Sequence, residues 1–381
     1  MRASGCYPPR MSPRARRPIV TMRDIAVEAA VSQSTVSRVL NDAPTTVPIA
    51  PDTRERVMEA AQRLGYRPNP LARGLRGAPT NLIGAVVRDF SDPFYAGAVE
   101  ALVVESMAHG YNVVFGHVHG RHDEVAALTT VLETRHTDAI VVLGDMQAHP
   151  QFQEDLRHAH VPVVALWPGT SPIEYPTVDA DDRAGIRAGL DHLVSLGHKR
   201  IAFVGAELPG DYRVRDEAYV EFMRERFGGT PAGYLQRCPN TLAGGDAVLR
   251  ALLGLPEPPT AVATSTDLVA IGALHAAYTL GVTVPDKLSV VGFDDILIAT
   301  HTVPALTTLR MPISAIVKHA IARAVALVRD PTTAEPGVDR FEPTLIVRDS
   351  TAAAPEPISP PRSSGRTRST AAATGRRARK G

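Results

Sequence analysis

The chain has 381 residues, of which 44% are hydrophobic, with 41 basic and 40 acidic side chains. This length predicts two or three domains, and the apolar fraction is that of a folded protein. Two cysteines, Cys6 and Cys238, are too few and too far apart for a disulfide framework or a paired-cysteine metal site. No apolar run is long enough to span a membrane. The arginine-rich start is not followed by the apolar stretch of a secretory signal, so a cytoplasmic location is expected.

Positive charge collects at both ends of the chain. The first 19 residues contain arginines and no acid, and the last twenty contain seven basic residues and no acid. Both segments are poor in large apolar residues, which predicts disorder. Such ends can attract DNA phosphates regardless of sequence, or they can be solvated tails with no such role. The sequence leaves these two readings open.

Residues 20–67 have the pattern of a helix-turn-helix domain. Thr21 and Asp24 have the spacing of a capping box at the start of one short helix, and Ser32 can cap a second. The second helix has one apolar face, and its other side chains are polar groups that can reach base edges and phosphates. These polar residues are Gln33, Ser34, Ser37 and Arg38.

A third helix is expected between Pro51 and Gly65, because proline suits a helix start and glycine a helix stop. Residues 68–78 are basic and flanked by proline and glycine, which predicts a hinge that orders only when something holds it. From residue 79 to 351, apolar runs alternate with helical patterns, as in parallel sheets covered by helices. The alternation restarts part-way, so we expect two such units with a ligand cleft at the carboxyl ends of their strands.

Several of these segments resemble the LacI/GalR family, the lactose- and galactose-repressor type of bacterial transcriptional regulator. The similarity is strongest over Thr21–Asn41, Thr53–Arg67 and residues 68–75, where the strings VSQSTVSRVLN and NPLARGL are highly specific. It implies an all-α helix-turn-helix head and an α/β periplasmic-binding-protein-like core of two Rossmann-like parallel-sheet subdomains. We place these subdomains at about 79–178 with 309–335, and 179–308 with 336–351, between disordered basic segments 1–19 and 352–381.

The resemblance also implies which residues contact DNA. Gln33, Ser34 and Arg38 match positions that read base edges, and the fork of Arg38 is suited to guanine. Leu75 matches a hinge leucine that wedges between base pairs in the minor groove, although plain packing of a linker residue is the alternative. The remaining residues expected to contact DNA are Thr21, Ser32, Thr35, Ser37, Asn41 and Ala72.

In the same family a small effector binds in the cleft of the core. Phe94 and Tyr95 match an aromatic pair that can stack on a sugar or a base. Arg215 matches an arginine that clamps the effector. Asp294, at the end of the last parallel strand, can accept paired hydroxyl donors, and it can also cap the turn that follows.

Other effector-site candidates depart from the family or carry a second reading. Thr266 stands where asparagine is usual and lacks the two amide donors, and Asp92 adds a charge where asparagine is common. These departures suggest an effector that the better-known members do not share. Trp167 follows a strand and is either part of the pocket wall or plain packing.

His117, His119 and His122 form an HxHxxH cluster. On a strand, His117 and His119 would share a face, as metal ligands could. No obvious further ligand completes such a site, so a role in the cleft or in a solvated loop is preferred. We expect no metal and no cofactor, and we keep His117 as an effector-site candidate.

No GxSxG, HExxH, P-loop or GxGxxG motif occurs, so an enzyme is not expected. A sugar-binding transport receptor would have a signal peptide and would lack residues 20–75. We therefore expect a sequence-specific DNA-binding transcriptional regulator, a repressor, which acts as a homodimer on double-stranded operator DNA in the bacterial cytoplasm and is nucleoid-associated when bound. An effector in the cleft, a sugar or sugar derivative, would control operator affinity. The alternatives are a nucleobase- or nucleoside-responsive regulator, or an activator of the same family.

Overall fold

The computed structural model describes most of the chain as two compact units, residues 1–80 and 81–381. The described residues are 20–40, 48–66, 79–117, 137–146, 150–169, 175–207, 211–333 and 336–355. The predicted hinge and most of both predicted tails lie outside them. Within the described ranges, no helix is long and apolar enough to cross a membrane.

The first unit contains three helices: α1 (Met22–Glu28), α2 (Gln33–Leu40) and α3 (Pro51–Leu64). The carboxylate of Asp24 accepts hydrogen bonds from the N–H and the hydroxyl of Thr21, at 2.8 and 2.7 Å. The N–H of Thr35 donates to the hydroxyl of Ser32 at 3.1 Å. α3 ends at Gly65, whose φ of 66° is left-handed. The helix starts and stops predicted from the sequence are therefore confirmed.

The three helices enclose one small apolar core, to which each contributes a fully buried aliphatic residue: Ile25, Val36 and Val57. Leu40 and Leu64 pack against this core and are only partly buried. Because the core is small, the head depends on its caps and turns as well as on apolar burial.

The second unit contains two six-stranded sheets. The first has the order β11-β5-β4-β3-β1-β2, with β1 (Leu82–Val87), β2 (Asn112–His117), β3 (Ala139–Leu143), β4 (Val163–Leu166), β5 (Thr177–Ala180) and β11 (Val338–Phe341). The second has the order β12-β10-β9-β8-β6-β7, with β6 (Ile201–Ala206), β7 (Leu235–Cys238), β8 (Ala261–Thr264), β9 (Ser289–Asp294), β10 (Thr307–Arg310) and β12 (Thr344–Ile346). Only the β10–β12 pairing is antiparallel among the described ladders. The predicted fold class is confirmed.

Helices cover both sheets. They are α4 (Pro93–Ala108), α5 (Pro150–Arg157), α6 (Asp182–Ser195), α7 (Asp211–Phe227), α8 (Leu242–Leu253), α9 (Asp267–Thr279) and α10 (Ile313–Arg329), with 3-10 turns at Leu297–His301 and Pro331–Thr333. The strand order reverses between β1 and β3, and again between β6 and β8. In sheets of this type, ligands bind at the carboxyl edge beside such a reversal.

The chain crosses between the sheets three times, after Ala180, Arg310 and Phe341. This corrects the predicted subdomain boundaries. Residues 336–351 were placed together in the second subdomain, but β11 pairs with β5 in the first sheet. β5 and β10 also run two residues past the predicted boundaries at 178 and 308. β11 is a half-buried edge strand, so its hydrophobicity gives no indication of which sheet it joins.

The last described residues are bound to the second sheet. The Nε2 atom of His198 lies 3.0 Å from the hydroxyl of Ser289 and 3.1 Å from the carbonyl oxygen of Ala352. The hydroxyl of Ser350 donates to the carbonyl of Val290 at 2.6 Å. Burial lowers the pKa of His198, which favours the neutral ring in this network. The end of the core is thus part of the second sheet rather than a loose tail.

Candidate functional site

α2 presents a polar surface on the first unit. Gln33, Ser34 and Arg38 are exposed, whereas Val36 and Val39 of the same helix are buried. The side chains predicted to read bases are therefore held on a helix whose apolar face is fixed in the core. Such a helix can enter a major groove without disturbing its own packing.

The other predicted DNA-contacting residues have different surroundings. The hydroxyl of Ser32 lies 2.8 Å from the hydroxyls of Ser34 and Thr35, so these groups form a cluster at the start of α2. The hydroxyl of Thr21 is engaged by Asp24 at the start of α1. Ser37 is half-buried on α2. Asn41, Ala72 and Leu75 lie outside the described residues.

In the second unit, the start of α4 carries three of the predicted effector-site residues. Asp92 caps this helix by accepting a hydrogen bond from the N–H of Phe94 at 3.0 Å. The ring of Phe94 meets those of Tyr95 and Trp167 edge to face, with centroids 5.2 and 5.0 Å apart. The fold therefore brings Asp92, Phe94, Tyr95 and Trp167 together at the carboxyl edge of the first sheet.

Trp167 is only 2% exposed and has a φ of 51°, a strained value for a bulky residue. Its packing against Phe94 agrees with the plain-packing reading. Its indole N–H has no hydrogen-bond partner among the described residues, however, and a buried donor of this kind is suited to a polar ligand group. Its role in the pocket stays a prediction.

Arg88 and Tyr212, which the sequence analysis missed, lie at the same edge. The guanidinium of Arg88 lies 5.4 Å from the ring centre of Tyr95 and 5.3 Å from that of Tyr212, and it donates to the Tyr212 hydroxyl at 3.1 Å. Gly144 leaves room for this arrangement, since a Cβ there would lie 2.3 Å from the hydroxyl of Tyr95. A cation directly after a buried strand is the one sequence signal that could have identified Arg88.

Arg215 is 2% exposed and is held by groups from several elements. Its Nη1 donates to the carbonyl of Ser265 at 2.6 Å and lies 3.7 Å from Asp294 Oδ1. Its Nη2 lies 3.1 Å from Asp182 Oδ1, and its guanidinium stacks 3.8 Å from the ring centre of Phe293. Two of the predicted effector-site residues, Arg215 and Asp294, are therefore in contact, and the arginine connects groups from three elements.

Asp294 and Asp295 form a strained turn at the end of β9, with φ values of 118° and 58°. Arg310 and Arg348 each donate to the carboxylate of Asp295 at 2.6 Å. Since Arg310 ends β10, where the chain crosses between the sheets, the turn that carries Asp294 is tied directly to a crossover.

Asp267 supports this turn from below. Its carboxylate accepts hydrogen bonds from the N–H of Ile296 at 2.9 Å and from the hydroxyl of Thr308. It lies against Gly292, where a Cβ would be 2.1 Å from Oδ1 of Asp267. Burial raises the pKa of Asp267 to about 7, and the charge of Asp295 acts in the same direction.

Asn240, also missed by the sequence analysis, supplies the amide that Thr266 lacks. The hydroxyl of Thr266 accepts from the N–H of Val269, capping α9, and donates to Asn240 Oδ1 at 2.8 Å. Asn240 Nδ2 donates to Asp92 Oδ2 at 3.0 Å. Thr266 is therefore joined to Asp92 through Asn240, and in the described structure it acts as a helix cap and as a donor to a residue from another loop.

A cavity of about 470 Å³ lies beside the crossovers. It is lined by residues of both subdomains, among them Gly169 and Arg340 from the first and Arg183 and Val214 from the second. Asp182, which pairs with Arg215, also lines it. None of the predicted effector-site residues lines this cavity, so the buried cluster meets it through Asp182.

His117 is the last residue of β2, and its backbone is in register with Val87 of β1 in the parallel ladder. The structure does not describe its side chain, and His119 and His122 also lie outside the described residues. In the described part of the chain, no three His, Cys, Asp or Glu side chains are grouped as metal ligands would be. His117 is thus the one predicted effector-site residue that the described contacts do not join to the others.

A helix-turn-helix unit and a two-sheet core with a polar cleft, in one chain, define the class of DNA-binding regulators that respond to a ligand. Sequence comparison agrees with this arrangement. Residues 21–69 match the pattern of bacterial regulatory proteins of the lacI family, and residues 190–351 match a periplasmic binding protein-like domain.

The chain is 32% identical over 352 residues to the HTH-type transcriptional repressor CytR of Escherichia coli strain K12, covering 91% of this chain and 100% of that repressor. Its structure resembles the lac repressor dimer bound to operator and the anti-inducer ONPF, with a TM-score of 0.78, 25% identity and coverage of 88% and 99%. It also resembles the transcriptional regulator CelR in complex with cellobiose, with a TM-score of 0.66, 28% identity and coverage of 88% and 100%. The chain belongs to the LacI family, and it is a transcriptional regulator rather than an enzyme.

The raised pKa of Asp267 predicts a pH dependence of stability. A carboxyl group whose folded-state pKa is raised contributes stability below its unfolded value of 3.8, and this is lost as the pH rises through about 7. Asp267→Asn keeps an acceptor for Ile296 and cannot ionise. As the pH rises from about 4 to about 7, the free energy of unfolding measured in urea should therefore fall more for the wild-type protein than for the variant. The exposed control Asp286→Asn should follow the wild-type profile, and an Asp267→Asn profile parallel to wild type would contradict the assignment.

Proposed function

We propose that this regulator is a repressor that binds operator DNA as a homodimer through α2, and that a sugar or sugar derivative in the cleft controls its operator affinity. The observation that carries the proposal is the buried cluster around Arg215 and Asp294, in the same chain as a helix with an exposed polar face. The repressor CytR and the operator-bound lac repressor, both similar to this chain, support the assignment to operator DNA.

The proposed dimer is supported by exposed apolar side chains on the second subdomain. Tyr278, Leu297 and Val303 are 83%, 86% and 93% exposed. A contiguous apolar patch marks an association surface in globular proteins, these side chains are candidates for such a patch, and the similar lac repressor is a dimer. A two-fold dimer would present two copies of α2 to two half-sites of an operator. A monomer in sedimentation velocity at micromolar concentration would contradict this part of the proposal.

A sugar suits the cleft because of the groups that meet there. Asp294 accepts hydrogen bonds only, which matches hydroxyl donors of a polyol, and the rings of Phe94 and Trp167 offer apolar surface. The similar regulator CelR was solved with cellobiose. A nucleobase or nucleoside is the second candidate, because the same rings can stack on a base and the indole N–H of Trp167 can donate to it.

The proposed control acts through the crossovers. A ligand that draws Asp294 and the start of α4 together would rotate one subdomain against the other, and residues 68–78 would transmit this change to the head. A coupling of about 1–3 kcal/mol is the usual size of such an effect. The same geometry would serve an activator, so a reporter gene placed behind the operator decides between repression and activation.

Arg38→Ala should weaken binding to an operator selected from random DNA by the full-length protein. Loss of one bidentate base contact costs about 1–3 kcal/mol, or roughly 5- to 150-fold in affinity. The exposed Arg56 of α3 provides a matched control, and Arg56→Ala should change affinity much less. Fluorescence anisotropy at a fixed salt concentration measures both. Equal losses for the two variants would show that α2 does not read the bases.

Thermal-shift screening of the full-length protein against sugars, sugar phosphates, purines and nucleosides tests the effector. A compound that binds the folded state alone raises the melting temperature. Asp294→Asn should lose that shift for the best compound, because one of the two acceptor oxygens becomes an NH₂ donor that repels a hydroxyl donor of the ligand. If the variant keeps the full shift, the effector does not contact Asp294. A shift with nucleosides alone would favour the second candidate.

A further inference from the structure

We propose that Asn240 is a positioning residue that joins the two subdomains across the cleft and sets how readily the cleft opens. We call the chain of hydrogen bonds Asp92–Asn240–Thr266 the strap. Its consequence for regulation rests on the proposed function, but the strap itself does not.

The strap connects the two sheets. Asp92 lies between β1 of the first sheet and α4, whereas Asn240 follows β7 and Thr266 follows β8 of the second sheet. The amide of Asn240 uses both of its ends, donating to Asp92 Oδ2 at 3.0 Å and accepting from the Thr266 hydroxyl at 2.8 Å. Asp92 fixes the polarity: an ionised carboxylate can only accept, so the amide nitrogen faces it, and the amide oxygen then faces the hydroxyl hydrogen of Thr266. An amide therefore fits between these two groups in one orientation.

Both ends of the strap are anchored on helix starts. Asp92 caps α4 through the N–H of Phe94, and Thr266 caps α9. Moving the subdomains apart must therefore break the bond between Asp92 and Asn240 or disturb a helix cap. The same amide nitrogen lies 3.4 Å from the hydroxyl of Tyr212. That hydroxyl also accepts a hydrogen bond from Arg88, which is the other described side-chain hydrogen bond across the cleft. Asn240 thus lies where the two connections meet.

The surroundings strengthen the strap. Asp92 and Thr266 are buried and Asn240 is half-buried between them, so water reaches these hydrogen bonds only from the Asn240 side. A hydrogen bond to an ionised carboxylate is stronger than one between neutral groups. The strap therefore favours the closed cleft, and a ligand that donates to Asp92 would compete with Asn240 for the same oxygen.

Trp167 provides a built-in probe, because it is the single tryptophan of the chain. It lies just beyond β4, at the carboxyl edge where Arg88 and Asp92 contact the second subdomain. Opening the cleft should expose its indole ring. Acrylamide quenching of tryptophan fluorescence in the full-length protein therefore reports the closing equilibrium with neither DNA nor effector present.

Asn240→Asp places two carboxylates in contact, and their repulsion should open the cleft and raise the quenching constant about twofold or more. The double variant Asp92→Asn/Asn240→Asp exchanges the amide and the carboxylate, and asparagine still caps α4. Its quenching constant should return close to the wild-type value. Asn112→Asp, the same change at an exposed position at the start of β2, is the matched control and should resemble wild type.

Asn240→Ala removes both hydrogen bonds without adding charge and should raise quenching in the same direction. This variant keeps the test decisive if Asn240→Asp does not fold, as judged by circular dichroism. A wild-type quenching constant in folded Asn240→Asp or Asn240→Ala overturns the strap, and so does a double variant as open as Asn240→Asp alone. None of these outcomes depends on operator binding, so the strap can fail while the proposed function stands.

Discussion

The buried guanidinium of Arg215 is the constraint on which the core depends. Moving a cation out of water costs several kcal/mol, and the penalty is offset only where partners surround it closely. Here the partners come from separate elements: Asp182 at the start of α6, the carbonyl of Ser265 after β8, and Asp294 and Phe293 at the end of β9. Each of these elements supplies the cation with a carboxylate, a carbonyl oxygen or a ring face. The cluster is therefore held in place by contacts within the chain itself, as a preorganised binding site would be.

A local displacement at this cluster can reach the rest of the core through the elements that hold it. The strained turn at Asp294 and Asp295 is held by Arg310, which ends a strand at a crossover, and by Asp267 beneath it. On the opposite side of the cleft, Asp92 fixes the start of α4. The predicted effector-site groups are thus attached to a crossover and to helix starts rather than to long loops. A displacement of a few tenths of an ångström at the site is carried by packed elements, which move as units.

The sequence predicts well what neighbouring residues decide. The capping box at Thr21, the cap at Ser32 and the stop at Gly65 are local, and the structure has each of them. The alternation of strands and helices also depends on short-range pattern. The resemblance to the family brought Arg215, Asp294, Phe94 and Thr266 to one site without revealing what each one contacts.

What the sequence could not predict depends on long-range contacts. Asp92 and Asn240 are 148 positions apart, and Arg88 and Tyr212 are 124 apart. No periodic pattern registers such pairs, and Asn240 belongs to no recognised motif. Thr266 is an example. The sequence shows that this position lacks the side-chain amide usual in the family, but it does not show that Asn240, from the loop after β7, supplies an amide there. The predicted assignment of β11 to the second subdomain was wrong for a related reason. An edge strand with few buried residues has no hydrophobic pattern that indicates which strand it pairs with.

The order of the last strands has a consequence for synthesis on the ribosome. β10 of the second sheet is made before α10 and β11 of the first, and β12 and the residues bound by His198 come later still. Neither sheet can acquire its final edge strand until nearly the whole core has emerged. The two subdomains must therefore mature together, and a nascent chain leaves two unpaired sheet edges open to wrong partners until the end. Premature termination near residue 335 would damage both halves of the cleft at once, although it removes only a short terminal segment.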